Sequence, residues 1–373
     1  MMAPLEGVKV VELARILAGP WAGQVLADLG AEVIKVEAPE GDDTRRWGPP
    51  FIARDGDGPE GRSAAYFHAT NRGKRSVVAD FRTEQGQKIV HDLVKDADVV
   101  IENFKLGGLK KYGLDYESLS AINPRLVYCS ITGFGQDGPY ATRAGYDFLI
   151  QGMAGWMDLT GDPDGQPQKV GVAFADIFTG LYAVIGIQAA LAARARTGRG
   201  QLVDMALLDC AVGVLANQGM NFLATGTAPH RLGNAHPNIA PYEVVSAADG
   251  DLILAVGNDG QFKRLCTVLG LDLAEQAEFA TNEARVAHRE ALRTVLLPAL
   301  AQWPRAELLA ALEADTVPAG PINSLDQVFA DPQVRARGMA VESEGIPGIR
   351  TPIRFSDTPL ADPRAAPKLG RPD

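Results

Sequence analysis

Between residues 8 and 135 short apolar runs alternate with amphipathic ones, and this alternation restricts the fold more than any other feature of the chain. Val8–Leu13, Glu32–Glu37, Ser76–Phe81, Asp98–Glu102 and Leu126–Thr132 read as strands. Trp21–Leu29, closed by Gly30, then Thr83–Lys95 and Tyr116–Ile122 read as helices, the second carrying Ile89, Val90, Leu93 and Val94 on one face. A helical crossover returns the chain to the edge it left, so strands joined in this way run parallel. The expectation is an α/β fold with a parallel sheet and helices packed on it.

The remainder has a different rhythm. Asp176–Ala195 and Leu202–Leu223 read as two long helices separated by Thr197-Gly198-Arg199-Gly200. His230–Ala240 reads as a loop. Tyr242–Val256 reads as a hairpin, because Asp249-Gly250 at its centre is a strong turn signal. Helices follow around Gln261–Leu269, Arg285–Ala301 and Arg305–Ala314, then a rigid turn at Pro318–Pro321 and a proline-punctuated tail from Val341. A chain of 373 residues fits a large domain with a smaller one.

Charge narrows the partners. A net charge of -10 argues against general nucleic-acid binding, which needs a basic surface. Cys129, Cys210 and Cys266 lie far apart without metal-ligand spacing, so reduced thiols, a cytoplasmic setting and no metal site are expected. Val170–Ala193 is weakly polar but carries Asp176 and several glycines, a poor membrane span, so no membrane partner is expected.

Asp176 is the only charged residue in that run. Carboxylates are rarely buried without a partner, so its position has two readings. One is a helix N-cap, a role Asp fills well. The other is a carboxylate nucleophile in a dry site. The two are compatible, since exposed helix N–H groups favour the ionised form.

Two constellations suggest ligand contacts. Ala18-Gly19-Pro20-Trp21-Ala22-Gly23 between two strands, with Glu37 ending the second, resembles a dinucleotide-binding turn. Trp21 stands where a second glycine would let the backbone approach a pyrophosphate, so that fingerprint is incomplete. Asn71-Arg72-Gly73-Lys74-Arg75-Ser76 concentrates cations just before a strand. It reads either as a solvated charge run or as a grip on an anionic ligand. Lys105, Lys111 and Arg143 are further basic candidates. Tyr146 and Asp147 read as turn and helix-start residues or as hydrogen-bonding groups of a pocket, and His236 is a lone histidine in a loop.

Taken in order, several motifs carry a resemblance that none carries alone. They are Pro4–Val10, Ala18-Gly19-Pro20, Asp28–Glu37, Asn71–Ser76, Glu102-Asn103-Phe104, Asn123-Pro124-Arg125, Gly133-Phe134-Gly135, Thr197–Gln201, Gly320-Pro321 and Leu369-Gly370. On these the chain resembles the class III coenzyme A transferases, and it does so over nearly its whole length. The resemblance implies a Rossmann-like large domain formed by residues 1–224 and 326–373, with a small α+β domain at 225–325. It also implies a homodimer of interlocked rings. Asp176 is implied as the nucleophile. Contacts to coenzyme A are implied at Ile16, Leu17, Ala18, Asn71, Arg72, Lys74, Arg75, Lys111 and Arg143. Tyr146, Asp147 and His236 are implied to line the acyl pocket. Coenzyme A arrives as a thioester substrate, with no permanently bound cofactor. Backbone N–H groups of Gly233–Asn238 are candidate oxyanion donors.

Racemases of the same family resemble an Ala-Gly-His-Asp motif where this chain has Ala144-Gly145-Tyr146-Asp147. Racemisation beside a thioester needs acid/base groups on both faces of the carbon. Tyrosine titrates near 10 and serves poorly there, which favours transfer over isomerisation. Gly41–Pro50 together with Arg143–Asp147 most resembles members that use succinyl-CoA and a second dicarboxylate such as glutarate. A distal carboxylate would suit an arginine, with Arg45, Arg46, Arg72 and Arg143 as the candidates.

Overall fold

The structure is a computed structural model and describes residues 2–58 and 60–370. It divides into two compact units, Met1–Ala154 with Val170–Leu215 and Pro332–Asp373, and Gly155–Lys169 with Ala216–Asp331. The second unit thus takes in a segment, 155–169, that lies outside the expected 225–325 span. Residues 371–373, part of the expected large domain, lie outside the described residues.

The first unit is built on a parallel sheet. Its strands are β1 (Lys9–Glu12), β2 (Glu32–Glu37), β3 (Arg75–Val78), β4 (Val99–Glu102), β5 (Val127–Thr132) and β6 (Leu202–Ala206), in the spatial order 3-2-1-4-5-6. Val11 pairs with Ile34 on one side and Val100 on the other, and every neighbouring pair is parallel. The central strands are buried along most of their length, their apolar residues joined by the buried charges Glu12, Lys35 and Glu37. β6 corrects the sequence expectation, which placed Leu202 at the start of a long helix. Tyr128–Thr132 offers β6 an open edge, and Leu202–Ala206 pairs with it residue for residue. Helix begins only at Leu207, runs to Gly213, and resumes at Ala216–Thr225 after a break.

Helix α1 (Ala18–Asp28) follows β1, and a long helix, αN (Phe174–Thr197), packs on it. Gly180 permits that approach: a Cβ there would stand 2.7 Å from the Ala18 carbonyl oxygen. αN is long and apolar enough to cross a membrane, with a mean hydropathy of 1.6 over its most apolar window, yet it buries Ala175, Thr179, Gly180, Ala183, Val184, Ile187 and Ala190 within the unit. The tail straps the sheet edge. Gly73 N–H donates to the Arg364 carbonyl and Gly370 N–H to Ser76 Oγ, covering the strand that would otherwise be open.

The second unit has a three-stranded antiparallel sheet. Tyr242–Ala247 and Gly250–Ala255 form the expected hairpin. Ala319–Pro321, expected as a turn, instead pairs with Leu252–Leu254 as an edge strand, where proline is tolerated. Leu252, Leu254, Phe262, Leu296 and Leu308 form its core. Arg285 is fully buried beside it, donating to the Ala240 and Phe279 carbonyls and to Asp259.

Candidate active site

In the order 3-2-1-4-5-6 the winding direction reverses between β1 and β4, and open α/β sheets bind ligands outside that switch point. A pocket lies there. The loop after β1 supplies Arg15, Ile16, Leu17 and Ala18, and the loop after β4 supplies Asn103, Lys105 and Lys111. Arg143 and Tyr146 close another side, and Asp176 enters from the first turn of αN. Eight of the candidate site residues singled out in the sequence therefore meet in one pocket: Ile16, Leu17, Ala18, Lys105, Lys111, Arg143, Tyr146 and Asp176.

Asp176 is not an N-cap. αN begins at Phe174 after Ala173, no side chain of its own caps it, and Asp176 is the third helical residue. The cap comes from elsewhere. Ala175 N–H donates to Asp147 Oδ1 at 2.9 Å, and Gln151 Nε2 donates to Asp147 Oδ2 at 2.7 Å. Val170 N–H in turn donates to Gln151 Oε1 at 3.0 Å. Asp147 thus serves the helix end that carries Asp176 and does not line the pocket itself. Loss of water, and secondarily the Asp147 charge, push the Asp176 carboxyl up to about 7. Opposite charge would lower it, and among the described residues Asp176 forms no ion pair. Tyr66, which the sequence gave no reason to single out, sits in the same field. Burial, then Asp176, Asp147 and Asp42, push its hydroxyl up to about 12, so it stays a hydrogen-bond donor.

The basic run behaves differently from its ligand-grip reading. Asn71, Arg72 and Lys74 are buried inside the unit and line no part of this pocket. Arg72 Nε and Nη2 donate to Asp28 at 3.1 and 2.5 Å, and Nη1 donates to the Ile349 carbonyl. Lys74 Nζ donates to Glu12, the Pro20 carbonyl and Asn71 Oδ1. Burial draws the Lys74 ammonium down to about 8. Arg75 is exposed, 3.8 Å from Glu32, and also outside the pocket. Asn71, Arg72 and Lys74 are therefore internal structure, the two cations neutralised by Asp28 and Glu12.

Other expectations are decided by the same kind of pairing. Arg45 is locked by Glu37 at 2.7 and 2.8 Å and by Asp57 at 2.9 Å, so neither Arg45 nor Glu37 is open to a ligand. This removes the acid that a dinucleotide ribose would need. Arg46 bonds to Asp43 and the Glu40 carbonyl at the surface. Arg143 alone of the four arginine candidates lines the pocket. Its guanidinium stands over the rings of Tyr140 and Phe134, 4.4 and 5.4 Å from their centroids, and it forms no ion pair among the described residues. Arg15 and Asn103 are pocket residues that sequence reasoning did not place in the site, because nothing in their local sequence sets them apart from ordinary exposed polar residues.

His236 belongs to the second unit, as does the Gly233–Asn238 loop. Its Nδ1 accepts from Asn238 N–H at 3.1 Å, its carbonyl accepts from Arg289, and burial followed by the Arg289 charge lowers its pKa. With Asn217, Gln218 and His230 it lines a polar hollow of that unit.

Comparison with known proteins agrees with this chemistry. The family model of CoA-transferase family III matches residues 5–372. A succinate--glutarate CoA-transferase of Agrobacterium fabrum is 63% identical over 98% of this chain and 93% of its own length. A human succinyl-CoA:glutarate CoA-transferase is 40% identical over 99% of this chain and 84% of its own length. The crystal structure of a CAIB/BAIF family protein from Brucella suis superposes with a TM-score of 0.88 at 67% identity, covering 99% of this chain and 97% of that one. A basic pocket at the sheet's switch point, one carboxylate held in it without a counter-ion, and this likeness over the whole chain lead to one conclusion: the chain belongs to CoA-transferase family III.

Proposed function

We propose that this CoA-transferase moves coenzyme A from succinyl-CoA to a second dicarboxylic acid such as glutarate, with Asp176 as the covalent carrier. The observation that carries the reading is the Asp176 carboxyl itself, pushed up to about 7 in a pocket whose charged lining is otherwise cationic. A carboxylate of raised basicity is a better nucleophile than an ordinary one, and near neutral pH a large share of it is ionised.

The steps balance without metal or redox chemistry. The Asp176 carboxylate attacks the donor thioester carbonyl and expels the coenzyme A thiolate, leaving a mixed anhydride. The thiolate attacks the aspartyl carbonyl and releases the donor acid, leaving an aspartyl-CoA thioester. The acceptor carboxylate attacks that thioester, expels thiolate and forms a second anhydride. Attack of thiolate on the acceptor's carbonyl then yields the new acyl-CoA and restores Asp176. Each step exchanges one activated acyl group for another. Lys105, Lys111 and Arg15 supply positive charge for the phosphates of coenzyme A, and shelter from water protects the anhydrides.

Arg143 is the candidate for the distal carboxylate of the acid. Its guanidinium stands against two aromatic rings, and a planar guanidinium placed there can make a bidentate contact with a carboxylate. The exposure of Leu181, Tyr182 and Ile185 on αN, a costly apolar face on a free surface, supports the association of two copies as a homodimer.

Asp176→Asn lowers the exchange rate by at least about 10³-fold, and wild-type kcat/KM rises with pH through about 7 as the nucleophile ionises. The stability sign is opposite. A carboxyl whose folded pKa is raised stabilises the fold below its unfolded value and loses that contribution as pH rises through about 7. The Tm of Asp176→Asn therefore exceeds that of wild type more at pH 8 than at pH 5. A flat rate profile together with a pH-independent Tm gap contradicts the assignment.

Arg143→Leu raises KM for glutarate by about tenfold, the value of one lost charged hydrogen-bonded contact, and leaves KM for butyrate within twofold or so. Equal effects on both acids would remove Arg143 from recognition of the second carboxylate.

Sedimentation velocity at micromolar concentration is expected to give twice the chain mass. A monomer under those conditions refutes the homodimer.

A further inference from the structure

Between β1 and α1 the backbone leaves the sheet, and the side chains of three residues take over its hydrogen bonds. The Ala14 carbonyl accepts from Lys35 Nζ at 2.8 Å. Arg15 is held at both ends by one amide: its N–H donates to Asn103 Oδ1 at 2.9 Å, and its carbonyl accepts from Asn103 Nδ2 at 2.6 Å. Ile16 N–H faces the Asp42 carboxylate, 3.3 and 3.4 Å from its two oxygens. Three consecutive residues thus depend on partners drawn from β2, from the loop that follows it, and from the residue just past β4.

The residue at the centre of this grip is strained. Ile16 has φ +71°, in the left-handed region that a β-branched side chain strongly disfavours. Such conformations persist where the surroundings over-determine them, and they concentrate at functional sites. The surroundings here are rigid. Asp42 is 1% exposed, pairs with Lys35 at 2.9 Å, and accepts from Thr44 N–H and Oγ1 at 3.0 and 2.8 Å. Lys35 is fully buried and also reaches Glu12 at 3.1 Å. Leu13 N–H donates to the Ile101 carbonyl, tying the loop's start to β4 two residues before Asn103.

We infer that Asn103 and Asp42 are positioning residues for acyl transfer: they hold Ile16 in its left-handed conformation so that Ile16, Leu17 and Ala18 stand as the pocket wall beside Asp176. The inference rests on the reading of this pocket as the coenzyme A site. Released from the clamp, Ile16 relaxes to negative φ. The peptide planes on either side then rotate, and Leu17 and Ala18 leave the wall. Small displacements of this kind are costly because the reacting groups must meet in one geometry. Glycine adopts the left-handed region without steric penalty, so the clamp matters less where residue 16 is glycine.

The test is a double-mutant cycle among wild type, Asn103→Ala, Ile16→Gly and the double variant. Exchange is assayed with succinyl-CoA and glutarate, binding is titrated with free coenzyme A, and urea midpoints are measured on the same samples. In the wild-type background Asn103→Ala is expected to lower kcat/KM about 30-fold, about 2 kcal/mol at 1.36 kcal/mol per tenfold, and to weaken coenzyme A binding. In the Ile16→Gly background the same substitution is expected to cost less than about 5-fold. Equal losses in the two backgrounds overturn the clamp, as does a lowered urea midpoint with kcat/KM and coenzyme A affinity intact. Where Asn103→Ala does not fold, Asn103→Asp runs the same cycle, keeping the acceptor for Arg15 N–H and losing the donor to its carbonyl. Asp176→Asn serves as the control on the site. If it exchanges at full rate, the site reading fails and the clamp's purpose with it. If it is inactive while the cycle shows no coupling, the clamp alone fails.

Discussion

Placing one half-buried carboxylate in a pocket where no cation among the described residues pairs with it is the constraint on which the rest of this structure turns. Asp176 would ionise readily at a surface and would then be a weak nucleophile. Loss of water and the neighbouring Asp147 charge raise its pKa to about 7, which in the proposed role leaves its ionised form populated at neutral pH and more basic than an ordinary carboxylate. That arrangement opposes stability, as reactive groups in active sites commonly do. The protein offsets it with a rigid mount. αN is packed against α1 at glycine distance, and its open N–H end is capped by Asp147 through a chain that runs on to Gln151 and Val170.

Beneath the pocket lies a second electrostatic layer with another purpose. Glu12, Lys35, Asp42 and Lys74 are all buried and contact one another, and Glu37, Arg45 and Asp57 continue the chain of pairs. Buried ion pairs often fail to repay the cost of removing their charges from water, so net stability is a weak reason for such a layer. What the layer does supply is definition. Lys35 and Asp42 reach backbone groups of the loop that walls the pocket, and Lys74 reaches the first turn of α1. The same pairing separates this sheet from a dinucleotide-binding one. The strand order is shared, but Glu37, where a ribose would bind, is bonded to Arg45 and Ser76.

Local pattern made the sheet readable. The strands from Val8 to Thr132 announce themselves by apolar runs between helical stretches, and the parallel order follows from the crossovers. Leu202–Ala206 escaped because a short strand leading directly into a helix has no turn signal between the two, and the deciding partner, Tyr128–Thr132, is remote in sequence. Charge was harder to interpret than hydrophobicity. Arg72 and Lys74 look like ligand cations until Asp28 and Glu12, 44 and 62 residues away, are seen to neutralise them. Asp176 was legible because it stands alone in an uncharged run. Arg15, Tyr66 and Asn103 were not, since their roles come from where the fold places them and leave no mark on the neighbouring residues.

The most direct measurement of the central idea is the mass of the peptide that contains Asp176 after brief incubation with succinyl-CoA, without an acceptor acid, followed by an acid quench and proteolysis. The account predicts a gain equal to coenzyme A less one water, on that peptide and no other, reversed by adding glutarate before the quench. An unmodified Asp176 peptide in protein that is turning over, or the same adduct on a different carboxylate, contradicts it.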